Sequence, residues 1–230
     1  MMKTNLKLSH LAALILTMAS LPVMAAGSAE MKVTGTIAPS ACDASLTGGT
    51  ADFGKIAASQ LSPDNFTFVG KKTNQLTITC GAPTRVAFKV IDSRSANIPS
   101  DINLFMRKNV AEMYSLYPHD MYSFGAVEGK QVGAYAIGVL GQVTGDDAKT
   151  SLLYSTNNGI SWGGLYGVLA PAPRLHSMMP QDSSITEPAA FTTAVYPFQI
   201  AAALNKVADL PPLTDEVPMD GLVTFSLVYL

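Results

Sequence analysis

The last eight residues of the chain place a large apolar side chain at every second position, from Val223 through Phe225 and Leu227 to Tyr229. A period of two is typical of a β-strand with one buried face, because successive side chains point to opposite faces of a sheet. The strand ends with Leu230 and no turn follows it. Its second neighbour in the sheet must therefore come from elsewhere in the chain or from another protein, and that choice constrains what the fold can do.

The same period recurs along most of the chain and predicts an all-β sandwich. The segments that show it are Met31-Lys32-Val33-Thr34-Gly35-Thr36-Ile37, Leu76 to Cys80, Val86 to Val90, Tyr135 to Val139 and Phe198 to Leu204. Helical periodicity is weak, and only residues 103–116 have a pattern that a short helix could use. With 230 residues, 48% of them apolar, the chain can bury one core, as a single domain or as a domain with a large insertion.

Turns and loops separate these strands. Asn157-Asn158-Gly159 predicts a tight hairpin between residues 152–154 and 160–162, and Gly81-Ala82-Pro83 predicts a turn. Residues 170–188 hold four prolines and are expected to form a loop, because proline is excluded from central strands. Residues 209–218 hold three prolines and are expected to lead, as a loop, into the last strand.

The first 25 residues have the features of a secretory signal. Lys3 and Lys7 precede an apolar run, residues 11–21, that is too short to span a bilayer, and Val23-Met24-Ala25 offers the small residues that signal peptidase accepts. We expect cleavage after Ala25 and export of the chain; a retained anchor is the alternative. Cleavage removes two lysines and no acid, so 15 basic and 17 acidic residues become 13 and 17, and the net charge changes from −2 to −4. A mildly acidic chain without a basic stripe argues against nucleic acid as a partner, and no later segment predicts a membrane span.

Two cysteines, Cys42 and Cys80, remain after cleavage. In an exported chain two cysteines most simply form one disulfide, and two unrelated buried thiols are the alternative. A bridge closing a loop of this length would stabilise the fold by about 4 kcal/mol in the chain-entropy model.

The sequence predicts no enzyme, metal or cofactor site, because its reactive groups are not clustered. His119 and His176 are far apart and lack metal-ligand spacing to a cysteine or an acid. Asp146-Asp147 lacks the spacing of a calcium loop, and the glycines of residues 163–167 do not open a helix after a parallel strand, as a phosphate site requires.

One short span is rich in aromatic residues and methionine. It includes Tyr114, Tyr117, Tyr122 and Phe124. Exposed aromatic groups near polar side chains can bind sugars or other ligands, so these four are a candidate ligand patch. The alternative is that they cover one end of the sandwich.

Several motifs occur in the order found in chaperone–usher pilins, and the chain resembles that family. The motifs are Gly35-x-Ile37 with Cys42 seven residues after the glycine, Asp52-Phe53-Gly54, Leu76-Thr77-Ile78-Thr79-Cys80, and a last strand with Tyr229 as the penultimate residue. The closing Met219-Asp220-Gly221-Leu222-Val223-Thr224 and Val228-Tyr229-Leu230 look most like a poorly characterised fimbrial-like exported family of the beta-fimbriae type. The resemblance covers about residues 28–95 and 197–230 and leaves the middle of the chain unmatched.

The resemblance implies an immunoglobulin-like (pilin-type) sandwich that lacks one strand and is completed by a strand from another protein. A periplasmic chaperone fills the resulting groove first, and at the outer-membrane usher the N-terminal extension of the next subunit replaces it. The chain would then comprise a signal peptide (1–25), an N-terminal extension (26–36) and one sandwich domain (37–230) with an insertion at about 97–188.

The resemblance also implies roles for residues at both ends. The donor residues would be Met31, Val33, Gly35 and Ile37. The strand that pairs with the chaperone or the donor would contain Val223, Phe225, Leu227, Tyr229 and Leu230. The terminal carboxylate of Leu230 would be held by basic residues of the chaperone. The implied function is a non-enzymatic structural subunit that passes through the periplasm to a surface fibre with other fimbrial subunits and contributes to adhesion.

Two departures from the family leave alternatives open. Pilins often have glycine fourteen places from the end, where this chain has Val217, and the chain is longer than an ordinary major pilin. Residues 29–37 could instead be the first strand of an ordinary closed sandwich. The protein could then be a free periplasmic or secreted binding module that uses the aromatic span 113–124.

Overall fold

A computed structural model describes residues 29–36, 41–94, 98–102, 104–107, 113–164, 167–180 and 186–230; the side chains of 105–107 and 113–116 are not described. The chain divides into two units, residues 1–38 and residues 39–230. In the first unit, residues 29–36 are irregular and exposed. The expected signal peptide and Ile37 lie outside the described residues.

The second unit is built from β-strands, and the predicted all-β class is confirmed. In chain order the strands are β1 (Cys42–Leu46), β2 (Thr67–Asp92), β3 (Leu104–Arg107), β4 (Met113–Leu116), β5 (Tyr122–Ser123), β6 (Ala126–Val127), β7 (Lys130–Gln131), β8 (Gly133–Val139), β9 (Val143–Gly145), β10 (Ala148–Thr150), β11 (Leu152–Ser155), β12 (Gly163–Gly164), β13 (Leu175–Met178), β14 (Ala190–Leu204) and β15 (Val223–Tyr229). Within the described residues, the helical elements are three single 3₁₀ turns, Ala58–Gln60, Pro118–Asp120 and Val207–Asp209.

The 26-residue strand β2 is the spine of the fold. Its first half pairs antiparallel with β1 on one edge and with β14 on the other, and its second half pairs with β15 and β13. The register with β14 shifts where Thr79 and Thr84 of β2 oppose Thr193 and Phe191. The extra residues of β2 form a bulge there, and a bulge bends a strand. This bulge carries β2 from one group of partners to the other.

The core lies on the inner faces of the strands that β2 organises. Leu76 and Ile78 from its first half and Phe88 from its second half are fully buried in one cluster with Tyr196 of β14. The Phe88 ring meets the Tyr196 ring edge-on, with centroids 5.0 Å apart. The strands predicted for these segments, and for the segment that forms β15, are therefore present.

The middle of the chain covers a second face of the sheet. Strand β8 pairs with β14, and all seven of its residues are buried. Its Tyr135 and Ile137 join the main core, whereas Ala134 and Ala136 join a second cluster with Leu104 of β3. A strand buried on both faces needs apolar side chains at every position, and β8 supplies small ones on the side of Leu104.

Four local predictions need correction. The turn expected at residues 81–83 is the bulge inside β2, because the alternation on both sides pairs with the same neighbour. The helix expected at 103–116 is the hairpin β3–β4, in which Leu104 pairs with Leu116. Pairing and burial of Leu104 outweigh a weak helical preference.

The other two corrections concern the later loops. Strand β13 lies inside the expected loop 170–188, because the window between Pro173 and Pro180 is free of proline and pairs with β2 and β11. The hairpin at 157–159 exists, with positive φ at Asn158 (58°) and Gly159 (86°). Its second strand is Gly163–Gly164 rather than residues 160–162, so its loop is longer than predicted.

The disulfide between Cys42 and Cys80 is present, and this prediction is confirmed. The two residues are direct partners in the β1–β2 ladder and are separated by 38 positions in sequence. The bridge therefore fixes β1 to the spine close to the bulge.

We expect the double substitution Cys42→Ser and Cys80→Ser to lower the free energy of unfolding by about 4 kcal/mol, because loss of the bridge releases loop-closure entropy in the unfolded chain. Urea unfolding of the two proteins at equal concentration measures the difference. A midpoint equal to that of the parent would contradict a stabilising role for the bridge.

His176 of β13 makes the core sensitive to acid. It is fully buried against Phe88, its Nε2 lies 3.1 Å from the carbonyl oxygen of Ala170, and its Nδ1 has no hydrogen-bond partner among the described residues. Burial lowers the pKa of His176 to about 4. The unfolded chain, with a histidine pKa near 6.5, therefore binds a proton that the folded chain does not bind between these two values.

Stability should accordingly fall by about 3 kcal/mol as the pH drops from about 6.5 to about 4, and His176→Leu should remove this part of the pH dependence. The exposed His119→Leu is the control and should keep it. Urea unfolding at intervals between pH 7 and pH 4 gives the three curves. Parallel curves for the parent and His176→Leu would show that His176 is not the titrating group.

An apolar groove beside the last strand

An open groove of about 1580 Å³ runs along the side of the sandwich next to β15. Its floor is the inner face of one sheet, with Tyr135 and Ile137 of β8 and Phe198 and Ile200 of β14. One wall is the chain after β1, residues 46–58, and the other is the segment 213–225 that leads into β15. The groove is larger than the ~300–1,000 Å³ of an ordinary small-molecule pocket.

The core is not closed at this groove. The main buried cluster is surrounded here by apolar residues that pack against it but keep part of their surface exposed. They include Phe53, Ile56, Leu61, Ile200, Val217, Met219, Val223, Phe225 and Leu227. Apolar side chains that line a void lose the contacts that a filled core would give them. A strand inserted in the groove would restore these contacts.

Strand β15 borders the groove with one edge unpaired. Among the described residues it pairs with β2 alone, in one uninterrupted register from Val223 to Tyr229. The carbonyl of Leu222 accepts from the N–H of Ser93, and the N–H of Leu230 donates to the carbonyl of Arg85. Since backbone groups alternate between the two edges of a strand, the even-numbered residues face β2 and the odd-numbered residues direct their N–H and C=O groups to the free edge.

The far end of β15 is tied to the start of β1. The hydroxyl of Tyr229 accepts a hydrogen bond from the backbone N–H of Cys42 at 2.9 Å. Tyr229 and Leu230 are 49% and 50% exposed, so the last two side chains are accessible. The C-terminal strand residues predicted from the sequence thus share one strand, with Val223, Phe225 and Leu227 on the core side.

The predicted donor residues lie in the other unit. Met31 and Val33 are 86% and 83% exposed, and a Cβ added to Gly35 would meet nothing within 4 Å. Exposed large apolar residues at two-residue spacing are unusual for a solvated segment and favour a role in binding. Their donor role stays a prediction.

The four aromatic residues of the candidate ligand patch do not form one exposed patch. Tyr122 is completely buried and donates to the carbonyl of Leu169, and Phe124 is 6% exposed. Both rings pack on Tyr135. Tyr117 is 59% exposed and its ring stacks on His119, and the side chain of Tyr114 lies outside the described residues.

The carboxylates of Asp120 and Asp146 have structural partners. Asp120 is completely buried, and the Arg174 guanidinium donates to its carboxylate at 3.0 Å. The Asp146 carboxylate accepts from the backbone N–H groups of Thr192 and Thr193 and fixes the β9–β10 turn. In the described part of the chain, no group of three or more His, Cys, Asp or Glu side chains could hold a metal ion.

Burial raises the pKa values of Tyr122, Tyr135 and Tyr196 further above the ordinary value of 10. Of these three, Tyr135 lines the groove, whose floor therefore presents neutral rings and aliphatic side chains.

No helix among the described residues is long and apolar enough to cross a membrane.

Comparison with known proteins gives one family and two relatives. Residues 31–136 match the family described as protein of unknown function DUF1120. The chain is 27% identical over 254 residues to protein GltF of Escherichia coli (strain K12), and the match covers 99% of each chain. It is 22% identical over 227 residues to the uncharacterized protein YhcF of the same organism, which covers 92% of this chain and 94% of YhcF. The chain is thus similar along nearly its whole length to GltF and YhcF.

Proposed function

We propose that this chain is a non-enzymatic structural subunit of a fimbrial type, assembled by strand exchange after delivery by a periplasmic chaperone. The observation that carries the proposal is the unpaired edge of β15 beside an open apolar groove. An exposed strand edge is a template for pairing with another chain, and evolution usually blocks it unless it is used.

Addition of one strand would both pair the free edge of β15 and fill the apolar groove. An added strand would form backbone hydrogen bonds with the N–H and C=O groups of the odd-numbered residues of β15. Its alternate side chains would enter the groove and contact Phe225, Ile200 and Tyr135. The half-exposed apolar rim would then become part of the core, with a stabilisation of roughly 25 cal/mol for each Å² of apolar surface removed from water.

The N-terminal extension supplies a strand of matching character. Met31 and Val33 would enter the groove, Gly35 would allow close approach of the backbones, and Lys32 and Thr34 would face solvent. The acceptor and donor surfaces differ, so the contact joins copies head to tail and does not close on itself. Contacts of this type generate filaments.

The resemblance to chaperone–usher pilins supplies the partners and the route. A subunit with an empty groove exposes apolar surface and aggregates unless a partner covers it. The proposed partners are a periplasmic chaperone, an outer-membrane usher and other fimbrial subunits, and the proposed destination is the cell surface. Of the three residues of the predicted ligand patch whose side chains are described, Tyr117 is exposed and the other two are buried, so the groove supports assembly better than the patch supports binding of a small ligand.

Deletion of residues 26–36 should leave the melting temperature of the chaperone-bound subunit unchanged and abolish assembly, because the extension is expected to act on a neighbouring copy. Analytical ultracentrifugation after release from the co-expressed chaperone measures assembly. The double substitution Met31→Asp and Val33→Asp should reproduce the deletion, whereas the matched change Lys32→Ser, at a solvent-facing position, should still assemble. A full chain that is a stable monomer without chaperone, and that unfolds when residues 26–36 are removed, would overturn the proposal in favour of a closed sandwich.

A further inference from the structure

We infer that residues 211–222, called the strap below, occupy one side of the groove as a substitute for the incoming strand. The strap slows the entry of that strand, and the strand must displace the strap to bind. This inference rests on the proposed function. The strap is the segment between the last 3₁₀ turn and β15, and its residues 213–222 line the groove.

The strap repeats the side-chain pattern of the N-terminal extension. Val217-Pro218-Met219-Asp220-Gly221 and Met31-Lys32-Val33-Thr34-Gly35 share the order apolar, other, apolar, polar, glycine. In the strap this order corresponds to alternating burial, since Val217 and Met219 are half-buried against the main core and their neighbours Pro218 and Asp220 are exposed. The strap therefore places two apolar side chains in the groove at the spacing that an entering strand would use.

Gly221 permits the closest contact of the strap with the groove floor. A Cβ added to it would lie 2.5 Å from Cε1 and 3.0 Å from Cζ of Tyr135. The Tyr135 ring packs against the rings of Tyr122 and Phe124, with centroids 5.4 and 4.9 Å away, so it has little freedom to move aside. Any larger side chain at position 221 must lift the strap from the floor.

The strap is attached by side chains and not by a backbone ladder. Within the described residues, no backbone–backbone hydrogen bond is seen between residues 211–221 and another segment, and pairing begins where Leu222 accepts from Ser93. Two exposed ion pairs, Lys55–Glu216 and Arg94–Asp220, connect the strap to the chain on either side. Exposed ion pairs contribute little, so most of the attachment comes from the two apolar side chains.

This difference in attachment favours replacement of the strap by an entering strand over the reverse. The strap makes apolar contacts with the groove but leaves the edge of β15 unpaired. An entering strand makes similar apolar contacts and also gains the hydrogen bonds of the free edge. The strap therefore covers part of the apolar groove in the empty subunit, and a donor strand that also pairs with β15 displaces it.

The test measures how fast the exported full chain captures a fluorescent peptide of residues 29–38 (AEMKVTGTIA), followed by anisotropy. Gly221→Ala should speed capture at least threefold, because the strap can no longer lie against Tyr135. Gly164→Ala is the control: Gly164 lies in β12 and does not line the groove, a Cβ added there would be at an ordinary contact distance of 3.5 Å from Sδ of Met179, and capture should be unchanged. The double substitution Val217→Ser and Met219→Ser tests the same point without a steric clash and should also speed capture.

Equal or slower capture by both strap variants, with the parent binding the peptide, overturns the inference and leaves the proposed function intact. If the parent and all variants capture this peptide no faster than a peptide carrying Val33→Asp, the proposed function is overturned as well. Thermal melting of each variant verifies folding, and if Gly221→Ala does not fold, the double serine variant decides the outcome.

Discussion

The antiparallel ladders of β2 are the interaction on which the rest of the structure depends. One strand pairs with β1, β14, β13 and β15, and a bulge in its middle bends it between the two groups. The disulfide between Cys42 and Cys80 holds β1 to this spine. Strand β15 pairs with β2 alone among the described residues, and its other edge borders the groove.

The groove follows from this arrangement and from the way the chain continues after β1. A strand beside β15 would close the sandwich, but the chain between β1 and β2 instead forms a wall of the groove, and the strap forms the other wall. Val217, which departs from the glycine often found at this place in pilins, packs against the core within the strap. Val217 thus belongs to a segment that lines the groove, and this segment leaves the free edge of β15 unpaired.

The sequence predicted the elements that have strict alternation. Phe225 and Leu227 of β15 pack against the main core, and Leu76, Ile78 and Phe88 of β2 lie within it, so the period of two in these segments follows from which side chains face the core. The cysteine pair was predicted because a chain that is expected to be exported and has two cysteines has one simple pairing.

The errors arose where tertiary contacts decide the local structure. Residues 81–83 look like a turn because glycine and proline are turn formers, but pairing on both sides keeps the strand continuous. Tyr122 and Phe124 were candidates for a surface patch, whereas both rings pack on Tyr135 of the neighbouring strand β8 and are buried. The first part of the strap was predicted as the proline-rich loop 209–218 and its last residues as part of the closing motif, although the order Val217-x-Met219-x-Gly221 was a signal that comparison with residues 31–35 could have found.

Residue-resolved hydrogen exchange of β15 tests the central claim most directly. In the empty subunit, the amides of the odd-numbered residues from Val223 to Tyr229 should exchange fast and those of the even-numbered residues from Thr224 to Val228 slowly, because only the latter face β2. In the assembled protein both sets should exchange slowly, since the entering strand accepts from the odd-numbered amides. Slow exchange of both sets in the empty subunit, or fast exchange of the odd-numbered set after assembly, would contradict the account.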